Sequence, residues 1–166
     1  MLNFQNIICL LTCITTGLMS GLFFSYSTSV NPGLKNISDA AYLASMQSVN
    51  RAILNPVFFF AFFGALVLLP LNGYLQYGRP MTVSSSMYFV AAIVYIIGAV
   101  GVTILGNIPL NNELDKFNLS NASTDDMHSM RKVFETRWNN LNLVRTFAST
   151  ISFFLLILAL LFSKRA

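Results

Sequence analysis

The sequence predicts an all-α integral membrane protein: a four-helix bundle with a polar cap formed by the connections between spans 1 and 2 and between spans 3 and 4. Only 10% of the 166 residues are charged and 55% are hydrophobic, whereas soluble domains average about 25% charged residues. Four stretches without Asp, Glu, Lys or Arg are long enough to cross a bilayer, which takes about 20 apolar residues. All 6 acidic residues lie between these stretches, in the two longer connections.

We predict a single membrane domain covering residues 1–166. The first stretch lacks a basic leading region and a clear small-residue cleavage site, so we interpret it as a span and not as a signal peptide. The predicted spans lie near residues 5–26, 56–76, 84–106 and 144–163, and the cap segments lie near residues 27–55 and 107–143.

The first two spans carry local signals that support their placement. Gly17 and Gly21 form a G-x-x-x-G pattern in span 1, which allows close approach of another helix. Asn55 followed by Pro56 is typical of a helix N-cap with proline at the first helical position, so span 2 should begin there.

Span 3 is predicted to begin with Ser84 as its N-cap and to end near Ile108, because Pro109 cannot continue a regular helix. A helix that stops at membrane depth leaves carbonyls unpaired. We expect the amides of Asn107 and Asn111, which flank the proline, to satisfy those carbonyls.

Span 4 is predicted to belong to a much longer helix. Ser123 to Asp126 resembles a capping box with Asp in place of Glu or Gln. No Gly or Pro follows Leu110. A helix could therefore begin near Thr124 and continue through the span, with a length of roughly 60 Å.

Polar residues collect where the spans meet the cap. Trp138, Asn142 and Arg145 have i, i+4, i+7 spacing and therefore share one helix face. Gln47 and Asn50 share a face of a short helix that should start after Ser38. We expect a shared polar layer from these stretches, and its asparagines are Asn50, Asn55, Asn107, Asn111 and Asn142. Taken alone, Trp138 and Arg145 are ordinary interfacial anchors, and the layer suits either a ligand site or structural contacts between spans.

Few other residues indicate chemistry. The block Phe58–Phe63 suits lipid contact and core packing, or one wall of a site for an aromatic ligand. His128 is expected to be exposed. No His or Cys spacing indicates a metal site, so any redox chemistry has to come from a bound cofactor or from the substrate itself. We expect no cofactor.

The charges bear on partners and orientation. A net charge of +4 without a Lys/Arg cluster argues against nucleic-acid binding. Counting Lys and Arg alone places the cap in the cytoplasm. The opposite face carries Arg79, Lys164 and Arg165 without any acid, which favours termini in the cytoplasm instead.

Four sequence stretches together resemble the anthrone oxygenase-like family, small bacterial and fungal membrane proteins also catalogued as a domain of unknown function. The resemblance extends from about Gly17 to Ser152. It implies a four-helix membrane bundle. We expect this bundle in the cell (inner) membrane, with the lipid bilayer and a hydrophobic small molecule as partners, and we predict no particular oligomeric state. The four stretches are GLFFSYSTSVNPGL, MQSVNRAILNPVFF, GNIPLNNEL and RWNNLNLVRT.

The resemblance also implies a reaction and residues for it. Fungal members are similar to enzymes that oxidise an anthrone to an anthraquinone with dioxygen and without an obvious cofactor. Such a site needs a cation near the enolate oxygen, for which Arg145 or Arg137 is suited, and a base, for which Glu113 or His128 is a candidate. The residues expected to bind substrate are Gln47, Asn50, Asn107, Asn111, Trp138 and Asn142.

Two hypotheses follow. The first is a metal-free oxygenase for a flat phenolic or quinone-like molecule, with a pocket below the cap lined by the Phe58–Phe63 block and Arg145. The second is a non-catalytic four-span protein that binds a lipid or quinone, or assembles with partner spans. In that case the polar residues bond to one another and leave no cavity.

Overall fold

The structure is a computed structural model that describes residues 3–77 and 80–163. Arg79, Lys164 and Arg165, on which the prediction of orientation depends, lie outside these residues. Within them the chain forms helices and no strand. The helices are α1 (Phe4–Leu34), α2 (Asp39–Ala52), α3 (Pro56–Leu75), α4 (Val83–Lys116) and α5 (Thr124–Ser163).

Helices α1, α3, α4 and α5 are each long and apolar enough to cross a membrane. Each packs against the next in chain order, and α5 also packs against α1, which closes a ring of four. The core inside the ring includes Met19, Leu69, Tyr95 and Leu156, all fully buried. The predicted all-α fold with four membrane-length helices is confirmed.

A second apolar cluster lies at one end of the ring. It joins α2, the last part of α4 and the first part of α5 through Leu43, Leu114, Phe134 and Trp138. We call these three parts the distal layer, defined as residues 39–52, 108–117 and 124–140. That this layer forms a polar cap outside a bilayer stays a prediction.

Two predicted helix starts are confirmed by their hydrogen bonds. The Oδ1 atom of Asn55 accepts the Phe58 N–H at 3.0 Å at the start of α3. Before α5, the Ser123 Oγ accepts the Asp126 N–H, and the Asp126 carboxylate accepts the Ser123 N–H, both at 3.1 Å. From Thr124 the helix continues for 40 residues without interruption.

The predicted start of span 3 is wrong by two residues. Thr82 is the N-cap of α4, and its hydroxyl forms a reciprocal capping box with Ser85. Ser84 lies inside the helix and donates instead to the Ala159 carbonyl of α5 at 2.8 Å. A run of hydroxyl residues offers several equivalent caps, and packing against α5 selects among them.

The predicted helix end at Pro109 is also wrong, because α4 continues through the proline to Lys116. A π-helical segment, Thr103–Asn107, precedes the proline, and the amide after it donates to the carbonyl of its first residue, five positions back. The same arrangement occurs in α1, where Tyr26–Val30 is π-helical and Pro32 follows. In both helices the wider turn accommodates a proline that a regular α-helix would exclude.

The closest approaches between helices occur at glycines other than the predicted pair. A Cβ on Gly17 would lie 3.2 Å from the Phe153 ring, and one on Gly21 would meet nothing within 4 Å. A Cβ on Gly98 of α4 would overlap the Cβ of Ala148 of α5. The α4–α5 contact therefore depends on the absence of a side chain at position 98.

We expect Gly98→Ala to lower the free energy of unfolding by about 1–3 kcal/mol, because overpacking forces the two helices apart. The double variant Gly98→Ala/Ala148→Gly should recover most of this loss. Thermal unfolding in detergent measures both. Gly21→Ala is the control and should change stability by no more than about 0.5 kcal/mol. A double variant no more stable than Gly98→Ala alone would contradict the predicted contact.

An ion cluster fastens the α1–α2 connection to α5. Arg131 donates to the carbonyls of residues 34, 35 and 37 and to the Asp39 carboxylate, the last at 2.9 Å. It also bonds Glu135 at 2.8 Å. The ring of His128 lies 3.0 Å from Asp39 on the exposed side. The hydrogen bond from His128, with smaller contributions from Arg131, lowers the pKa of Asp39 despite the opposing effect of desolvation.

This cluster predicts a pH dependence of stability. Because the pKa of Asp39 is lower in the folded protein than its ordinary value of 3.8, the carboxylate stabilises the fold above about pH 4. That contribution is lost as the pH falls through the folded pKa. We expect the melting midpoint of the wild type to fall more steeply between about pH 5 and 3 than that of Asp39→Asn. Parallel melting curves for the two proteins would contradict this.

Candidate functional site

A chamber of about 170 Å³ lies where all five helices meet. Its inner wall is formed by α5 and the π-helical part of α4, and its outer wall by the start of α3. The first helix contributes residues 22, 23 and 26, and the end of α2 closes the side next to the distal layer. The chamber lies at the level at which the sequence analysis placed the polar layer.

Arg145 lies at the inner wall of the chamber with only 7% of its surface exposed. Its guanidinium is 4.5 Å from the ring centroid of Phe23 and 5.3 Å from that of Trp138. It donates to Asn142 Oδ1 at 2.8 Å and to Thr103 Oγ1 at 3.4 Å. Within residues 3–77 and 80–163 it forms no ion pair with a carboxylate. The predicted inward position of Arg145 is confirmed, and the charge has only neutral partners.

Asn142 connects Arg145 to the first helix. Its amide nitrogen donates to the Phe23 carbonyl at 3.2 Å and to Ser27 Oγ at 2.9 Å. The Ser27 hydroxyl also lies 2.8 Å from the hydroxyl of Thr146. Asn142 is fully buried, and these bonds fix both its position and that of the guanidinium. The hydrogen-bonded part of the predicted polar layer is therefore centred on Asn142.

Trp138 and Asn111 form a second fixed contact at the chamber wall. The indole Nε1 donates to Asn111 Oδ1 at 2.9 Å. The Tyr26 ring lies 5.6 Å from the Trp138 ring, tilted by 51°. Trp138 is 5% exposed, so it is held in place as a wall of the chamber and does not act as an interfacial anchor.

Three polar groups at the chamber lack partners among the described residues. Both amide atoms of Asn107 are buried without a hydrogen bond, and so are Nδ2 of Asn50 and Nε of Arg145. The expectation that Asn107 satisfies a freed carbonyl is wrong, since α4 is not broken at Pro109. An unpaired buried amide is costly, and a partner with hydroxyl or carbonyl groups in the chamber would satisfy it.

The Phe58–Phe63 block divides between the chamber and the exterior. Phe58, Phe59, Phe62 and Phe63 line the chamber, and Phe60 points away with 56% of its surface exposed. Of the two roles that the sequence allowed for this block, the structure shows both: four rings line the chamber, and Phe60 lies on the exposed side of α3.

Four other predicted residues lie away from the chamber. Gln47 donates to the carbonyls of residues 114 and 117, at 2.8 and 2.9 Å, and so caps the end of α4. Glu113 and Arg137 are exposed and line a separate outer groove. His128 is exposed beside Asp39, as predicted. Gln47, Glu113 and Arg137 do not line the chamber. The catalytic and substrate-binding roles expected for them stay predictions.

Some residues at the chamber were missed by sequence reasoning. Phe23 and Tyr26 flank the guanidinium and the indole, and Thr103 accepts from Arg145. Tyr26 and Thr103 each begin a π-helical segment, where a helical wheel of 3.6 residues per turn misplaces side chains. Each π-helical segment is followed two residues later by a proline, Pro32 or Pro109. These prolines were the available signal for the segments, but Pro109 was interpreted as the end of a helix.

Removing the unpaired amide of Asn107 and the paired amide of Asn142 should change the free energy of unfolding in opposite directions. We expect Asn107→Leu to raise the free energy of unfolding by about 1 kcal/mol, because it removes an unsatisfied amide at similar volume. Asn142→Leu should lower it by about 2–3 kcal/mol, because it leaves the guanidinium and Ser27 without partners. Thermal unfolding without added ligand measures both. A larger loss for Asn107→Leu than for Asn142→Leu would show that Asn107 has a structural partner.

A family model described as anthrone oxygenase matches residues 57–155. The match covers more than half of the chain and includes Asn107, Asn111, Trp138, Asn142 and Arg145, while Gln47 and Asn50 precede it. No curated protein and no solved structure matches the chain.

Proposed function

The chain belongs to the anthrone oxygenase family, and from this we propose that it is an oxygenase of the cell (inner) membrane acting on a flat phenolic or anthrone-like molecule bound in the chamber. The observation that carries the proposal is the desolvated guanidinium of Arg145 at the chamber wall, with neutral partners only. A charge in that setting stabilises a developing oxyanion strongly.

The proposed reaction begins with loss of a proton from the carbon opposite the anthrone carbonyl. The electron pair of that C–H bond moves into the ring system and places negative charge on the carbonyl oxygen, which Arg145 stabilises. The anion reduces dioxygen; one oxygen atom forms the new carbonyl, and the other leaves as water with the two hydrogens of the original CH2 group. The proposal needs no further oxidant, since one dioxygen accepts the four electrons.

The side chains around the chamber assist by binding and orientation. The unpaired amides of Asn107 and Asn50 provide donors and an acceptor for substrate oxygens. The five lining phenylalanines and Trp138 provide flat apolar walls. The described lining contains no carboxylate or imidazole, so the proposal assigns no side-chain base. Arg145 instead favours proton loss by lowering the free energy of the anion.

Oxygen consumption by the purified protein in lipid nanodiscs tests this function. With anthrone and hydroxyanthrones, we expect uptake faster than with empty nanodiscs and formation of one quinone per dioxygen consumed. Heat-denatured protein controls for traces of metal. Equal rates with protein-containing and empty nanodiscs across the panel would overturn the proposal.

A second function, binding without turnover, is favoured by the absence of a carboxylate or imidazole from the described chamber lining. In that case a phenolic or quinone-like ligand satisfies the Asn107 amide but stays unchanged. Saturable binding with recovery of intact ligand, and no oxygen consumption, would distinguish this function from the first.

A further inference from the structure

The chamber is polar on one side and apolar on the other. Its buried polar residues, Asn107, Asn142 and Arg145, lie on α4 and α5. Its exposed lining residues are all apolar: Leu54 is 65% exposed, Phe63 50% and Ile104 52%. These exposed residues form the rim of an opening, which we call the lateral mouth.

The lateral mouth exists because α3 and α4 separate. Helix α3 packs closely against Val83–Tyr95 of α4 but has few contacts with the part of α4 from Ile96 onward. The hydroxyl of Tyr95 donates to the Phe62 carbonyl at 3.3 Å and marks the last close connection. Beyond it the π-helical segment Thr103–Asn107 of α4 faces the start of α3 across the chamber.

The deeper part of the lateral mouth, at Phe63 and Ile104, lies well inside the apolar part of the chain, while Leu54 lies at the end next to the distal layer. Ile104 is nine residues before Glu113, the nearest charged residue on α4, a distance of about 13 Å along a helix. Phe59 and Phe63 follow Arg51 by eight and twelve residues. An opening at this depth faces lipid chains and not water.

The chamber itself is small. An engineered apolar cavity of about 150 Å³ holds one benzene molecule, so a chamber of about 170 Å³ holds about one ring with its oxygen substituents. A larger ligand has to extend through the lateral mouth. Whatever extends there is surrounded by hydrocarbon and has to be apolar.

We infer that the chamber takes a lipid-soluble single-ring phenol or quinol whose oxygens meet Asn107 and Arg145 while an aliphatic tail passes through the lateral mouth into the bilayer. The inference narrows the ligand class of the same chamber and rests on the proposed function only for the placement of ligand oxygens beside Arg145. The tail stays in hydrocarbon in both the free and the bound ligand, so its length should contribute almost nothing to affinity.

The single tryptophan of the chain reports binding directly, because Trp138 lines the chamber and is shielded from lipid. The probes are 2-bromo-4-butylphenol, 2-bromo-4-octylphenol and 2-bromo-4-dodecylphenol, whose bromine quenches a tryptophan in contact. The protein is placed in lipid nanodiscs, and probe concentration is expressed as mole fraction of lipid. The control probe, 1-bromo-4-dodecylbenzene, has the tail but lacks the hydroxyl and should not quench saturably.

We expect saturable quenching with dissociation constants that agree within about threefold across the three chain lengths, since the bilayer solvates the added methylenes in both states. Anthrone should compete at least about tenfold more weakly, because two of its three rigid fused rings have to extend through the lateral mouth. A loss of more than about tenfold from butyl to dodecyl would show that the chamber is closed to a tail. Tighter competition by anthrone than by the alkylphenols would overturn the single-ring assignment.

A matched pair of variants locates the lateral mouth. Ile104→Phe narrows it, and Ile97→Phe adds the same bulk on an exposed site of α4 that does not line the chamber. We expect Ile104→Phe to weaken dodecyl-probe binding at least about tenfold and Ile97→Phe to leave it unchanged. Equal effects would contradict the assigned location.

The outcome separates this inference from the proposed function. Oxygen uptake with anthrones, together with no binding of alkylphenols, overturns the inference and leaves the oxygenase proposal standing. Alkylphenol binding without oxygen uptake from either class supports the inference and contradicts the oxygenase proposal.

Discussion

Replacing Arg145 with methionine is expected to lower kcat for the proposed oxidation by about 10²–10³-fold, the usual loss when a preorganised oxyanion-stabilising group is removed. The fold should be retained, because methionine fills a similar volume and removes a charge that is buried with neutral partners only. Steady-state oxygen uptake and the melting midpoint measured on the same preparation give both quantities.

Three further variants make this result specific. Arg145→Lys keeps a positive charge but not the planar geometry that fits between Phe23 and Trp138, so it should recover part of the activity. Lys132→Met removes an exposed cation from the same helix and should leave kcat unchanged. If Arg137→Met reduced kcat as much as Arg145→Met, the assignment of the stabilising charge to position 145 alone would be wrong.

Arg131→Met is expected to lower the free energy of unfolding by about 2–3 kcal/mol, the largest loss of stability that we expect from removing one side chain of the distal layer. The side chain is only 11% exposed. Its loss leaves carbonyls at the end of α1 and the carboxylates of Asp39 and Glu135 without their shared donor. Thermal unfolding in detergent measures the change, with Lys132→Met as the control one residue away.

The Arg131 variant also tests whether the distal layer positions the chamber. Helix α2 begins at Asp39, which Arg131 holds, and ends just after Asn50, which lines the chamber. We expect weaker binding of the bromophenol probes together with the loss of stability. Unchanged stability would show that solvent replaces the lost bonds and that the cluster is a surface feature.

The sequence predicted the helices well because their signals are local. Charge-free stretches located the four membrane-length helices, and the i, i+4, i+7 spacing of Trp138, Asn142 and Arg145 predicted that they share one helix face. The continuous α5 followed from the absence of Gly and Pro after Leu110. Each of these inferences needs only regular helix geometry, and α5 is regular throughout.

The incorrect predictions have a tertiary cause. Pro109 ends a helix in isolation, but the π-helical segment before it removes the clash, and no single residue in Thr103–Asn107 indicates that turn. Gln47 has the amide expected of a binding residue, yet the end of α4 lies beside it and takes both its donated bonds. Which polar groups stay unpaired depends on neighbours distant in sequence, so the sequence did not separate the unpaired amides at the chamber from the structural ones.

The π-helical segment at Thr103–Asn107 has a consequence for the evolution and engineering of α4. A π turn corresponds to one residue more than an α-helical turn would hold, so deleting one residue there would restore regular geometry. Everything between the deletion and Lys116 would then rotate by about 100° around the helix axis. Asn107 and Asn111 would leave the chamber together, so this single surplus residue keeps the two amides directed into the chamber.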